Sequence, residues 1–192
     1  MTTPTPHSGD DEFWVFGYGS LMWNPGFPAL AAEPAVLAGY HRSFCIYSTH
    51  YRGTPERPGL VLGLAPGGAC PGVAFRVAID QAPSVRDYLR ERELCGYAYK
   101  EATLPVGLRD GRQVAAYTFV ADPDHRRYAG DLGVTASAAI IMEAVGRNGL
   151  NRDYLINTVK ELEAHGVVEP PLHALLEEVW RRTGEVEAGQ GI

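Results

Sequence analysis

Two short stretches hold the residues best suited to chemistry. The first is FWVFGYGSLMWNP, Phe13 to Pro25, in which Tyr18 and Ser20 stand among Gly17 and Gly19. Successive backbone N–H groups in a glycine-rich turn can converge on a carboxylate or a phosphate. Glycine at the end of a strand also marks a plain bulge or turn, and these residues fit either use. The second stretch is PSVRDYLRERELCGY, where Glu91 and Glu93 alternate with Arg90 and Arg92. A glutamate that serves as a base near neutral pH needs its pKa lifted from about 4.3 by desolvation. A solvated run of alternating charges, held by intrahelical pairs, has the same composition. Which of the two it is depends on which side chain meets the core.

Phe13 to Phe16 are aromatic or β-branched, which predicts a buried strand that breaks at Gly17. The second stretch predicts a helix, with Pro83 near its first turn and Gly96 just past its end. Val85, Tyr88 and Leu89 form its apolar stripe. At about 100° per residue, Arg92 falls near the centre of that stripe, Glu93 a quarter turn to its side and Glu91 further away. Glu93 is therefore expected at the rim of the core.

Around these stretches the first two thirds of the chain predict short strands: AVLAGYHRSFCIYS, GLVLGLAPG, CPGVAFRVA, ATLPVGLRDG and RQVAAYTFVA, with Asp110-Gly111 as a hairpin turn. STHYRGTPERPG, Ser48 to Gly59, places Arg52 and Arg57 among Gly and Pro, as a binding loop or an exposed linker would. The last third changes period. SAAIIMEAVGRNG and NRDYLINTVKELEAHG predict helices, the second with Asn151 as N-cap, Gly166 as stop and Tyr154, Leu155, Thr158, Val159 and Leu162 facing inward. PPLHALLEEVWRRTG predicts another, with Leu172, Leu175, Leu176, Val179 and Trp180 inward. Strands followed by helices without regular alternation indicate an α+β domain with a curved or barrel-like sheet.

With 192 residues, 45% of them hydrophobic, the chain suits one domain, read as residues 12–184 between flexible tails at 1–11 and 185–192. A net charge of -6 argues against a nucleic-acid partner. No apolar run approaches the roughly 18 residues of a membrane span, and the first residues have neither a basic nor an apolar region, so a cytoplasmic protein is expected. Three cysteines, Cys45, Cys70 and Cys95, make no CxxC pair, and six histidines show no ligand spacing. Buried thiols and no metal are the expectation; an oligomeric partner is not readable.

The blocks WVFGYGSLMWNPGF, RGTPERPGLVLGL, YLRERELCGY, TFVADPDHRRYAGDL and AVGRNGLNRDYLINTVKELEAHGV resemble, in order, those of the ChaC family of glutathione-specific γ-glutamylcyclotransferases, over Phe13 to Val179. The resemblance implies a small mixed β-barrel with surrounding and C-terminal helices. It also implies cleavage of glutathione to 5-oxoproline and cysteinylglycine, without a cofactor. By position, the family's substrate-binding turn falls on Val15, Phe16, Gly17, Tyr18, Gly19 and Ser20 with Leu21 adjoining, and its catalytic glutamate on Glu93. Tyr128 matches a family tyrosine expected near the substrate. Arg52 is expected, from its charge alone, to help hold the peptide's far carboxylate. Cys95 departs from the small or polar residues expected at its position. The implied reaction needs no protein nucleophile, because the substrate's own α-amine closes the ring while one carboxylate moves the protons. A cyclotransferase for other γ-glutamyl amines or peptides, and a non-catalytic binding protein of the same fold, are the alternatives.

Overall fold

Two of the longest apolar runs in the chain pair with each other along almost their whole length. In the computed structural model, which describes residues 12–94 and 98–189 and of 185–189 the backbone alone, β2 (Ala31–Ser48) and β3 (Gly59–Ala78) are antiparallel from Ala31↔Arg76 to Ser48↔Gly59. GLVLGLAPG and CPGVAFRVA are thus one strand, not two. Pro66, Gly67 and Gly68 do not end the ladder; both glycines take positive φ, and the register shifts between Ala38 and Tyr40 on the facing strand. The extra residues form a bulge that bends the hairpin.

The other strands close this ribbon on itself. β1 (Glu12–Gly17) lies antiparallel to β3, and β4 (Tyr99–Leu108) pairs with β5 (Gln113–Ala121) through the turn that contains Asp110 and Gly111, as expected. β4 joins β2 from Ala35↔Leu108 to Leu37↔Val106, and β5 meets β1 in parallel at Trp14↔Ala116 and Val15↔Tyr117. The result is a closed mixed barrel in the order β1-β3-β2-β4-β5.

After Glu12, β1 is apolar because both of its faces are covered. Phe13 and Val15 pack with Val85 and Leu89 of α1 (Ala82–Glu93), whereas Trp14 and Phe16 join the main core with Leu37, Leu60 and Val106. The same core takes Ile141 from α2 (Gly133–Glu143), Leu155, Val159 and Leu162 from α3 (Asn151–Ala164), and Leu175, Leu176 and Val179 from α4 (Pro170–Gly189). Among the described residues no helix is long and apolar enough to cross a membrane.

Four details differ from the sequence reading. The helix expected through Gly149 ends at Glu143 and gives way to a two-residue-strand hairpin, β6 (Val145–Gly146) and β7 (Gly149–Leu150), because Arg147 and Asn148 donate their N–H groups to His50 O and Tyr51 O. Asn151 opens α3 but its side chain does not cap it; fully buried, it bonds the Leu60 backbone instead. Trp180 is 53% exposed, one residue round from buried Val179. Helical backbone continues to Gly189, beyond the start of the expected tail at 185. Gly166, with φ 72, does stop α3, while Cys95 and Gly96 lie outside the described residues.

Candidate active site

Where β1 ends, the chain turns at once into a single 3-10 turn, Ser20–Met22, closed by Met22 N–H to Gly19 O at 2.8 Å. Ser20 and Leu21 precede that first bonded N–H, so their own N–H groups have no acceptor within the turn. The glycines serve close approach. A Cβ on Gly17 would stand 3.0 Å from the Leu21 Cβ, and one on Gly19 would stand 3.2 Å from the Leu62 Cδ2. Neither has a positive φ, so the requirement is space rather than backbone conformation.

A buried arginine secures the turn from behind. Arg42 of β2, 2% exposed, donates from Nε to Tyr18 O at 2.5 Å, and its other nitrogens bond Pro71 O and pair with Glu169 just before α4. Sequence reasoning missed Arg42; its alternation with Phe44 along β2 was the available signal.

Glu93 is the last residue of α1 and its side chain is 19% exposed. Burial raises its pKa above the ordinary carboxylate value, and Arg92, whose Nε lies 3.4 Å from Glu93 Oε1, opposes that rise. Glu91 is exposed, as the helical wheel predicts. Glu93 borders two adjoining hollows. The inner one, about 60 Å³, is lined by Tyr18, Gly19, Ser20 and Leu21 of the turn, together with Leu62, Tyr99, Phe119 and Tyr154. The outer one, about 260 Å³, shares Ser20, Glu93, Tyr99 and Tyr154 and adds Tyr51, Arg52, Val61, Arg92 and Asn148. A larger hollow of about 560 Å³ contains no carboxylate in its lining.

Tyr99 and Tyr154 were not anticipated as site residues, the latter having been assigned to the core by its spacing. Both are fixed on the backbone of one residue: Tyr99 Oη donates to Leu62 O at 2.5 Å, and Leu62 N–H donates to Tyr154 Oη at 3.4 Å. Burial holds the phenols of Tyr18, Tyr99 and Tyr154 above their ordinary pKa, so all three are neutral around Glu93.

Arg52 reaches the outer hollow from the loop between β2 and β3. Its Nη1 donates to Asn148 O at 2.6 Å, and its guanidinium lies 5.1 Å from the centre of the Tyr154 ring. Three glycines make this approach possible. A Cβ on Gly53 would fall 2.2 Å from Gly59 N, one on Gly59 2.1 Å from Arg52 O, and one on Gly146 2.5 Å from Gly53 N. Arg57 of the same loop is exposed and lines neither hollow.

The structure thus gathers Tyr18, Gly19, Ser20, Leu21, Arg52 and Glu93 around one space. Val15 and Phe16 are core residues of β1, and Gly17 joins that strand to the turn; none of the three lines the hollows. Tyr128 pairs with Ile46 and packs beside Cys45 and Ala121, also outside both linings. What the arrangement offers is a desolvated carboxylate facing a turn with N–H donors, suited to proton transfer beside a developing negative charge.

Comparison with known proteins gives a consistent result. The ChaC family model, described as ChaC-like protein, matches residues 13–182. A glutathione-specific gamma-glutamylcyclotransferase of Escherichia coli is 37% identical over 172 residues, covering 90% of this chain and 74% of the relative. Glutathione-specific gamma-glutamylcyclotransferase 1 of Homo sapiens is 33% identical over 175 residues, covering 85% of this chain and 79% of the relative. The crystal structure of a yeast gamma-glutamyl cyclotransferase specific to glutathione superimposes with a TM-score of 0.78 at 24% identity, over 90% of this chain and 97% of that one, a likeness of fold.

Proposed function

The chain belongs to the ChaC family, and from that premise we propose that it degrades glutathione by intramolecular cyclisation, releasing 5-oxoproline and cysteinylglycine. The observation that carries the assignment to particular residues is the desolvated Glu93 carboxylate in the same hollow as the 18–21 turn. The γ-glutamyl α-amine is mostly protonated at neutral pH. Glu93 takes one proton from it and passes it to solvent, and the freed amine attacks the γ-carbonyl of the same residue to close a five-membered ring. In this reading the N–H groups of the turn take up the charge that the carbonyl oxygen gains, and Glu93 carries the second proton, which the ring nitrogen must lose, to the departing cysteinyl nitrogen. Holding the glutamyl arm folded supplies the orientation that makes the attack fast. Glu93→Gln keeps size and hydrogen bonding but cannot accept a proton. Incubated with glutathione, the parent should yield 5-oxoproline and the variant none, while binding is retained. Turnover by Glu93→Gln at the parent rate would refute the assignment.

Arg52 supports glutathione over simple γ-glutamyl amines as the substrate. Among the described residues no carboxylate pairs with its guanidinium, which is held in the outer hollow by Asn148 O and Tyr154. A fixed cation there suits the glycine carboxylate of the leaving dipeptide. Converting that carboxylate to its ethyl ester should lower kcat/KM by roughly 10–100-fold in the parent, the scale of one charge-assisted hydrogen bond, and by much less in Arg52→Gln. Equal turnover of acid and ester by the parent would favour an enzyme of broader γ-glutamyl amines.

A further inference from the structure

We infer that Arg92 is a positioning residue that locks the substrate-binding turn onto the helix carrying Glu93 and supplies the positive charge beside that carboxylate. The inference rests on the cyclotransferase reading and adds to it a residue that neither touches the reacting atoms nor belongs to the turn. Arg92 lies at the centre of the α1 apolar stripe, where a charge is out of place unless it is fully received. The structure shows what receives it. Nη1 donates to Asn24 O at 2.8 Å, Pro25 O at 3.3 Å and Tyr88 Oη at 2.9 Å, while Nη2 donates to Ser20 Oγ at 2.8 Å. The remaining nitrogen, Nε, stands 3.4 Å from Glu93 Oε1. One planar fork therefore holds both ends of the segment from Ser20 to Pro25 against the last turn of α1 and touches the base as well.

Two consequences follow from this geometry. The turn and Glu93 come from elements joined by a long stretch of chain, and Arg92 fixes their separation through a rigid group that lysine, a single point charge on a flexible stem, does not reproduce. The second concerns charge. Glu93 is faced by Tyr18 and Ser20 from the turn, Tyr99 from β4, Tyr154 from α3 and Arg52 from the 49–58 loop. The tyrosines and the serine are neutral at pH 7, and of the two arginines Arg92 is the one whose charge stands beside Glu93, with Nε 3.4 Å from Oε1. It keeps the carboxylate available as a base against the upward pull of burial.

The test compares Arg92→Met and Arg92→Lys with the parent, using 5-oxoproline formation and the titration of the Glu93 side-chain carboxyl followed by 13C NMR. For Arg92→Met the expected results are a fall in kcat/KM of about 10²-fold, the scale of a misplacement of about 1 Å, and a Glu93 midpoint moved to higher pH. Arg92→Lys keeps the charge, so its midpoint should stay near the parent's while kcat falls several-fold; it also serves if the Met variant does not fold. A role confined to stability would lower Tm and leave the midpoint in place. An unmoved midpoint in folded Arg92→Met, or parent-like kcat in Arg92→Lys, overturns the inference. A parent inert toward glutathione would instead sink the cyclisation reading, which the NMR titration does not depend on.

Discussion

Glu93 works at a cost to the fold that can be measured. Its pKa in the folded protein is raised, chiefly by burial, whereas in the unfolded chain it ionises at its ordinary value. Below that ordinary value both states hold the proton and the group has no effect. As pH rises past it, the unfolded state loses its proton first and the native state is penalised, fully so once the native pKa is also passed. Glu93→Gln should therefore melt higher than the parent at neutral pH, with a gap that closes toward pH 3; a gap independent of pH between 3 and 8 would contradict the raised pKa. In activity, the acid limb of kcat/KM should lie above that of an unperturbed glutamate. The helical wheel was enough to separate Glu93 from Glu91, because burial of a helix face is a local property of the sequence. It could not explain Arg92, whose carbonyl partners belong to Asn24 and Pro25, far away along the chain.

Hydrogen bonds to backbone groups add to apolar packing in holding the elements that carry the site, and Asn151 is the clearest instance. Leu60 N–H donates to Asn151 Oδ1 at 2.7 Å, and Asn151 Nδ2 donates to Leu60 O at 2.8 Å, so one amide side chain acts as a strand partner for β3 and docks α3 beside the hollow. Asn151→Ala would leave a buried N–H and a buried C=O unpaired, at about 2–4 kcal/mol in total, or roughly 5–15 °C in Tm for a domain of this size. Because Tyr154 stands one helical turn further along α3, glutathione turnover should fall as well; a change below about 1 °C would mean that α3 is held by its apolar face alone. Sequence reasoning took Asn151 for an N-cap, since a polar residue opening a helix looks the same whether it bonds its own helix or a distant strand. The 145–150 hairpin escaped for a related reason. Its apolar residues have helical spacing, and what breaks the helix is pairing with His50 and Tyr51, which periodicity does not record.

For the molecule as a whole, the α+β class and the barrel with its flanking helices were legible, because strand-like and helical periods occupy separate parts of the chain. The strand order was not. Each antiparallel pair follows from a hairpin or a plausible neighbour, but the parallel contact of β1 with β5 joins the first strand of the barrel to its last and leaves no local signal. That contact has a bearing on how the protein is made. A chain leaves the ribosome N-terminus first, so β1 emerges with its turn already attached and then waits, one edge unpaired, until β5 has been synthesised. Even then Tyr154 is still to come, and the hollow lacks a wall until α3 docks on Leu60. Once Glu93 has been added, about halfway along the chain, a nascent chain therefore carries both the turn and the acid of a glutathione-degrading enzyme while remaining inert toward glutathione. Competence arrives late, when β1 has found β5 and the helix behind them closes the space.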